Sequence, residues 1–221
     1  MADGTVLLLD ENGRVHADTT WVARPAGSGI GRLLDDSPTG AERLMAAMRE
    51  HVGTAIAATT GHGIGVVALG DATGTVRAFG DVTDSAALHD GPVNALAAVG
   101  VALDGETSVP LIYSGGADGT LRAWAPGNTP MATPLAQRPC PVMSLDAAAT
   151  ENGPAIAVAW GDGAVEWIHW DTGAQRMFRP GPPVRAVALT ADNRVLIGMD
   201  ESMICLTPRR GPVPDGDTPQ V

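Results

Sequence analysis

The sequence of 221 residues contains no lysine, and only 4% of its residues are aromatic. Its two cysteines, Cys140 and Cys205, lie far apart along the chain, so we expect two buried free thiols rather than a disulfide bridge. Arginine supplies all 14 basic residues against 25 acidic ones, and the formal net charge is -11. Because an acidic surface repels phosphate backbones and Arg209-Arg210 is the only adjacent basic pair, the sequence argues against nucleic-acid binding.

Long hydrophobic runs are missing as well. No apolar stretch reaches the roughly 18 residues that a membrane-spanning helix needs. The opening MADGTVLLLDENG lacks the basic start and long apolar segment of a signal peptide. We therefore expect a cytoplasmic protein with no membrane partner. The absence of lysine, together with abundant Ala, Gly and Arg, is typical of a GC-rich bacterial genome.

Glycine and proline are plentiful, with 28 and 17 residues spread throughout the chain, and 44% of the residues are hydrophobic. This composition favours many short strands and turns over long helices, which predicts an all-β fold. The apolar runs between the turns distinguish the chain from a disordered one of similar glycine and proline content.

One stretch shows how these strands are organised: HDGPVNALAAVGVALDGETSVPLIYSGGADGTLRAW, residues 89–124. It holds two apolar runs split by a polar turn, then a Gly-Ala-Asp-Gly turn and a short strand ending in Trp. His89, Ser114, Asp118 and Trp124 fall where the WD40 repeat places its structural tetrad, and the stretch resembles that repeat. The resemblance implies that these four side chains form one buried hydrogen-bonded chain.

The rest of the chain contains weaker copies of this unit. The first strand of each copy starts near Val6, Ala55, Val93, Val142 and Val184, with spacings of 49, 38, 49 and 42 residues. These spacings scatter around the forty or so residues of a WD40-type blade. The resemblance therefore implies a β-propeller of about five WD40-like four-stranded blades in a single domain over residues 1–208. The tail, residues 209–221, is rich in Pro, Gly and Asp and is expected to be disordered.

Closure of such a ring has consequences for assembly. WD40 propellers usually have seven blades, so a ring of about five departs from the family pattern. A closed ring predicts a monomer, whereas an open one would leave bare strand edges and predicts a homodimer or a hetero-complex.

The unit before the complete one is a broken copy. Phe79 occupies the Trp position and His51 the His position, but Leu69 stands in the Ser position and Thr73 in the Asp position. We therefore expect no complete tetrad in this unit.

The outer units diverge further. In the fourth, Trp170-Asp171 reproduces the family dipeptide, and alignment on Trp170 makes the Gly161-Asp162-Gly163 turn about two residues longer, with Arg138 in the His position. The fifth unit has three clear strands.

In the first unit, GTVLLLDENGRVHAD predicts a hairpin. Residues 37–50 fit either a capped amphipathic helix or an outer strand, and the alignment to His51 favours the strand.

Catalytic and ligand sites were weighed against these structural interpretations. His89, Ser114 and Asp118 are the residue types of a nucleophilic triad, but Ser114 lacks a G-x-S-x-G elbow and the tetrad accounts for the spacing. The Gly-rich stretches 27–31 and 61–65 lack the Lys-Ser/Thr of a phosphate loop. The five histidines show no metal-ligand spacing, so neither a metal nor a cofactor is expected.

The remaining hypothesis is recognition. In WD40 propellers, partner contacts usually lie on the face formed by the loops before each first strand and the turns after each second strand. Transferred by position, this face predicts six partner-binding residues: Ile56, Asn94, Ala117, Met143, Asp162 and Arg185. The sequence thus predicts a non-catalytic scaffold that binds a protein or peptide. The alternatives are a propeller hydrolase or lyase, or a small-ligand sensor, acting at the central channel.

Overall fold

The computed structural model describes residues 7–9, 15–17, 50, 53–59, 65–102, 108–151 and 153–208. The chain divides into two compact units, Met1–Glu50 and His51–Val221. The predicted single domain over 1–208 stays a prediction, and the expected disordered tail, 209–221, lies outside the described residues.

In the first unit, β1 (Leu7–Leu9) and β2 (Val15–Ala17) pair antiparallel, with Leu8 opposite His16. This pairing confirms the hairpin predicted for the first fifteen or so residues, whose polar turn contains an Asn-Gly pair. Of the ambiguous segment 37–50, only Glu50 lies within the described residues, and its backbone is helical.

The second unit consists of four antiparallel sheets in which consecutive strands are neighbours, since each strand is joined to the next by a hairpin. The first sheet holds β3 (Gly53–Thr59), β4 (Val66–Asp71), β5 (Thr75–Gly80) and β6 (Asp84–Ala87). The second holds β7 (Val93–Ala102), β8 (Ser108–Gly116), β9 (Thr120–Trp124) and β10 (Ala136–Gln137). The third holds β11 (Val142–Thr150), β12 (Gly153–Trp160), β13 (Val165–His169) and β14 (Gln175–Phe178). The fourth holds β15 (Val184–Leu189), β16 (Val195–Met199) and β17 (Met203–Leu206).

These sheets pack face to face because alternate residues along each strand are apolar. One buried cluster, with Ile112 and Trp124, joins the first sheet to the second. A cluster around Tyr113 and Trp160 joins the second to the third, and one around Trp167 joins the third to the fourth. Within the described residues, no such cluster joins the first sheet to the fourth.

The all-β architecture of successive antiparallel sheets is therefore as predicted, and it is consistent with a propeller-like fold. The described residues contain four such sheets, and the fourth has the three strands found in the sequence. The residues expected to complete a fifth blade, between β2 and β3, lie outside the described ranges apart from Glu50.

In each of the four sheets of the second unit, the first strand along the chain, which we call the innermost strand, carries a β-bulge at its second residue. The bulged residues are Thr54, Asn94, Met143 and Arg185. The Thr54 hydroxyl donates to the Val93 carbonyl (2.6 Å), and the Asn94 amide donates to the Val142 carbonyl (2.9 Å). Each of these two bulge residues thus connects its own sheet to the first residue of the innermost strand in the following sheet.

The register of the third sheet corrects the alignment on Trp170. Val158 lies opposite Glu166 and Ile156 opposite Ile168, just as Ser114 lies opposite Arg122 and Ile112 opposite Trp124. Ile168 therefore takes the position of Trp124, and the turn is not longer than that of the second sheet. The alignment was wrong because Trp170-Asp171 lies after β13, in the turn that leads to β14.

Candidate functional site

The predicted tetrad forms a buried polar cluster in the second sheet. The His89 Nε2 atom lies 2.8 Å from the Ser114 hydroxyl, which is fully buried. The other ring nitrogen, Nδ1, lies 3.1 Å from an Asp118 carboxylate oxygen and 2.9 Å from the Thr120 hydroxyl. The cluster joins the loop before β7 to the turn after β8, so it holds the two ends of the inner hairpin together.

Trp124 is not part of this cluster, which corrects the predicted four-member chain. Its indole N–H donates to the Asn128 carbonyl at 3.0 Å, and its ring packs between the first and second sheets. Thr120 takes the fourth place instead, because its hydroxyl also donates to Asp118 at 2.8 Å. A Thr two residues after Asp in a tight turn was the available sequence signal, since such side chains bond to one another locally.

Burial disfavours the protonated form of His89. Burial lowers the pKa of His89 below its ordinary 6.5, and the neighbouring Asp118 carboxylate only partly opposes this effect. Burial acts on Asp118 in the opposite sense, but hydrogen bonds from Thr120 and the Asp90 N–H hold the pKa of Asp118 below its usual value. With Nδ1–H facing Asp118, Nε2 is free to accept the Ser114 hydroxyl proton.

We expect the stability of the second unit to fall as the pH drops through and below the ordinary histidine value. The pKa of His89 is lower in the folded state than in the unfolded chain, so the unfolded chain takes up the proton first as the pH falls. The contribution of neutral His89 to stability is therefore complete above 6.5 and is lost on acidification. Unfolding free energies between about pH 8 and about pH 5 should decline more steeply in the wild type than in His89→Asn. Equal slopes would contradict the assignment.

The geometry of Ser114 differs from that of an exposed nucleophile. A groove of about 350 Å³ runs beside the cluster, lined by residues that include Asp90, Asp118, Arg122 and Met131 but not Ser114. The Ser114 hydroxyl is 0% exposed and is engaged by His89. Its contacts are those of a buried hydrogen-bonding group.

In the first sheet a different carboxylate holds the equivalent turn. Asp71 accepts hydrogen bonds from the N–H and hydroxyl of Thr73 and from the N–H of Thr75, and it forms an ion pair with Arg77 at 2.5 Å. Although burial opposes it, these partners lower the pKa of Asp71 well below its usual value. Sequence comparison missed this because Asp71 occupies the position of Gly116, two residues before the expected one.

The third sheet uses arginine for the same purpose. Arg138, the residue predicted in the His position, forms an ion pair with Asp162, and Arg179 donates to the same carboxylate at 2.9 Å. Burial opposes the effect, but both guanidinium groups hold the pKa of Asp162 well below its ordinary range. Asp162, predicted as a partner-binding residue, thus has its charge balanced within the chain.

The other predicted partner-binding residues lie at one end of the second unit. Asn94, Met143 and Arg185 are bulge residues, and Ala117 lies in the turn after β8. Ile56 is two residues beyond its bulge, so Thr54 is the true equivalent in the first sheet and the alignment there was shifted.

We call this end of the sheets the bulge face and define it by six residues: Thr54, Asn94, Ala117, Met143, Asp162 and Arg185. Met143 is 48% exposed, and Asn94 and Ala117 are also exposed. Arg185 is paired with Asp200 at 2.7 Å, with both side chains about 60% exposed. The bulge face therefore combines exposed apolar and amide groups with charges that are already paired.

Tyr113 is fully buried between the second and third sheets, and its hydroxyl has no hydrogen-bond partner among the described residues. Burial, with a smaller contribution from the Asp171 charge, raises the pKa of this phenol. Its ring lies 6.3 Å from that of Trp170.

Removing this hydroxyl should not destabilise the protein. We expect Tyr113→Phe to leave the unfolding free energy unchanged or to raise it by up to about 1 kcal/mol, because an unpaired buried polar group is lost while the ring is kept. Chemical denaturation of both proteins measures the difference. A clear loss of stability would show that the hydroxyl has a partner, such as a bound water.

The described residues contain no group of three or more His, Cys, Asp or Glu side chains placed to hold a metal ion. Cys140 and Cys205 are free thiols, as predicted, but the predicted burial was wrong, because Cys140 is only partly buried and Cys205 is exposed. In the same part of the chain, we find no helix with the length and apolar character required to cross a bilayer.

No protein-family model and no curated protein matches this chain. Among solved structures it is similar to the computationally designed Ika4 protein, with a TM-score of 0.51 and 22% identity, over 70% of this chain and 90% of that one. It is also similar to the computationally designed Ika8 protein, with a TM-score of 0.52 and 22% identity, over 71% of this chain and 46% of that one. The chain thus spans less than half of the length of Ika8. At this identity the similarity concerns the fold alone.

Proposed function

We propose that this protein is a non-catalytic interaction scaffold of the WD40-like propeller type, acting in a bacterial cytoplasm, whose bulge face docks a protein or peptide. The observation that carries the proposal is the repeated bulge, which brings Asn94 and Met143 to the surface at equivalent positions of neighbouring sheets. Regular sheets and their buried clusters support these positions, and a rigid scaffold of this kind lowers the entropic cost of binding.

The composition of the bulge face supports a protein or peptide partner. Met143 supplies a large exposed apolar side chain, and methionine is enriched at protein interfaces. Arg185 pairs with Asp200, and two arginines hold Asp162, so these carboxylates need not be neutralised by the partner.

The competing enzyme hypothesis depends on Ser114 acting as a nucleophile. Its complete burial and its bond to His89 support a structural role instead. The sensor hypothesis concerns the central channel, and binding of a small ligand there would favour it.

A pair of matched methionine variants tests the proposed function. Met143 and Met177 belong to the same sheet and are 48% and 50% exposed, but only Met143 lies on the bulge face. We expect tagged wild type and Met177→Glu to enrich the same bacterial protein in affinity capture with quantitative mass spectrometry, and Met143→Glu to lose it. Equal retention or equal loss by the two variants, with folding checked by circular dichroism, would contradict the proposed face.

A further inference from the structure

Two neighbouring positions can be compared across the four sheets of the second unit. The first is the last residue of the second strand, opposite the first residue of the innermost strand: Asp71, Gly116, Trp160 and Met199. The second lies on the third strand, opposite the residue two places before that end: Arg77, Arg122, Glu166 and Ile204. Because side chains alternate along a strand, the two positions share one face of the sheet and are diagonal neighbours.

In three of the sheets the residues at these two positions suit each other. Asp71 forms an ion pair with Arg77 in the first sheet, and the indole N–H of Trp160 donates to Glu166 at 3.3 Å in the third. In the fourth sheet both residues are apolar, so neither needs a polar partner. Among the described sheets, only the second combines a charged side chain with a glycine.

Gly116 leaves Arg122 without the carboxylate that Arg77 has in the first sheet. A Cβ atom at position 116 would meet Asp118 Oδ1 and His89 Nδ1, so the second sheet has no room for an acid there. A partner for Arg122 must therefore come from outside these two strands.

The hydrogen-bond donors of Arg122 show what kind of partner fits. Nη1 donates to the carbonyls of Met131 and Ala132 at 3.2 and 3.4 Å. Among the described residues, no acceptor is bonded to Nη2, and Nε is buried without a hydrogen-bond partner. Nε and Nη2 form one edge of the guanidinium group, and the two parallel N–H groups of such an edge bind both oxygens of a carboxylate. Since an unpaired buried donor is costly, this edge is suited to a carboxylate ligand.

Arg122 lines the groove of about 350 Å³ beside the His89 cluster, together with residues that include Leu88, Asp90 and Met131. Small-molecule sites have volumes of about 300–1,000 Å³, so the groove has the size of a small one. Leu88 is buried and Met131 is 50% exposed, so the groove also offers apolar contacts.

The two acids of the groove decide what else the ligand carries. The Asp118 carboxylate already accepts hydrogen bonds from Thr120 and from the Asp90 N–H, and it lies 3.1 Å from His89 Nδ1. Asp90 is exposed, and its carboxylate has no partner in the part of the chain that the structure describes. Both Asp90 and the net charge of -11 repel a simple anion. A ligand that also carries an ammonium group pairs with Asp90 and avoids this repulsion.

We propose that this groove binds a free α-amino acid with an apolar side chain, whose carboxylate is held by Arg122 and whose ammonium group is held by Asp90. None of the six residues of the bulge face lines the groove, so the proposal does not depend on the proposed function.

Calorimetric titration of the wild type with leucine, N-acetylleucine and leucinamide tests the proposal without any substitution. We expect saturable binding of one leucine per chain, and at least tenfold weaker binding of the other two, since each lacks one of the two charges. If neither leucine nor the smaller alanine binds, the proposal is overturned. Leucinamide that binds as tightly as leucine shows that no carboxylate is held, and equally tight N-acetylleucine shows that no ammonium group is held; either result overturns the proposal too.

Three variants, with folding checked by circular dichroism, assign the two charges. Arg122→Gln should bind leucine at least tenfold more weakly. Arg176→Gln is the matched control and should bind like the wild type, because Arg176 also donates to a backbone carbonyl but lies exposed on β14, outside the groove. Asp90→Asn should weaken leucine binding but not N-acetylleucine binding. Wild-type affinity in Arg122→Gln, or an equal loss in Arg176→Gln, places the site elsewhere and contradicts the proposal.

Discussion

Gly119→Ala should lower the unfolding free energy by about 2–5 kcal/mol. Gly119 has φ = +74°, a conformation in which a side chain is strained. A Cβ atom there would also meet the Arg138 carbonyl oxygen at 2.1 Å, and this carbonyl belongs to the segment that leads into the third sheet. The substitution thus combines backbone strain with a clash against backbone that cannot move alone. Denaturant unfolding measures the effect.

Gly127→Ala separates these two causes. Gly127 has φ = +90°, but nothing lies within 4 Å of a Cβ placed there. We expect this control to lose only about 1–2 kcal/mol from the backbone strain. If the two variants lose the same amount, close approach of the second and third sheets at Gly119 does not contribute.

Ser114→Ala should lower the unfolding free energy by about 1–3 kcal/mol, because the buried His89 ring is left with an unpaired nitrogen. The same loss should bring faster amide exchange in the turn after β8, since the cluster holds that turn to the loop before β7. Denaturation and hydrogen exchange measure the two effects.

Ser85→Ala serves as the control for this prediction, since Ser85 is exposed on β6 and should be neutral. Unchanged stability in Ser114→Ala, together with loss of a hydrolytic activity, would contradict the structural role and favour the enzyme hypothesis.

The complete second unit shows what sequence comparison recovers well. Its strands and turns follow from the alternation of apolar residues and from the glycines between them, which are local features. The contacts of His89, Ser114 and Asp118 were also predicted, because the resemblance to the WD40 repeat implies that these side chains meet at one end of the hairpin.

The predictions that failed concern interactions that do not recur with the spacing of the repeated units. In the unit whose tetrad was expected to be broken, Asp71 and Arg77 hold the turn instead, and Asp71 lies two residues before the position compared. Arg179, which follows β14, also pairs with Asp162, and no expected position corresponds to it. Alignment does not detect such replacements, because residues of a different type, at different positions, form the hydrogen bonds that the buried or half-buried turn needs.

What the amino-acid sequence determined by itself is the succession of short strands, their hairpin order and the buried face of each, because these depend on neighbours along the chain. Tertiary structure alone decided the register of the third sheet, the bulges at Thr54, Asn94, Met143 and Arg185, and the exposure of Met203 on the fourth sheet. These features depend on which sheet packs on which, and a bulge or an exposed side chain is settled only when the sheets come together.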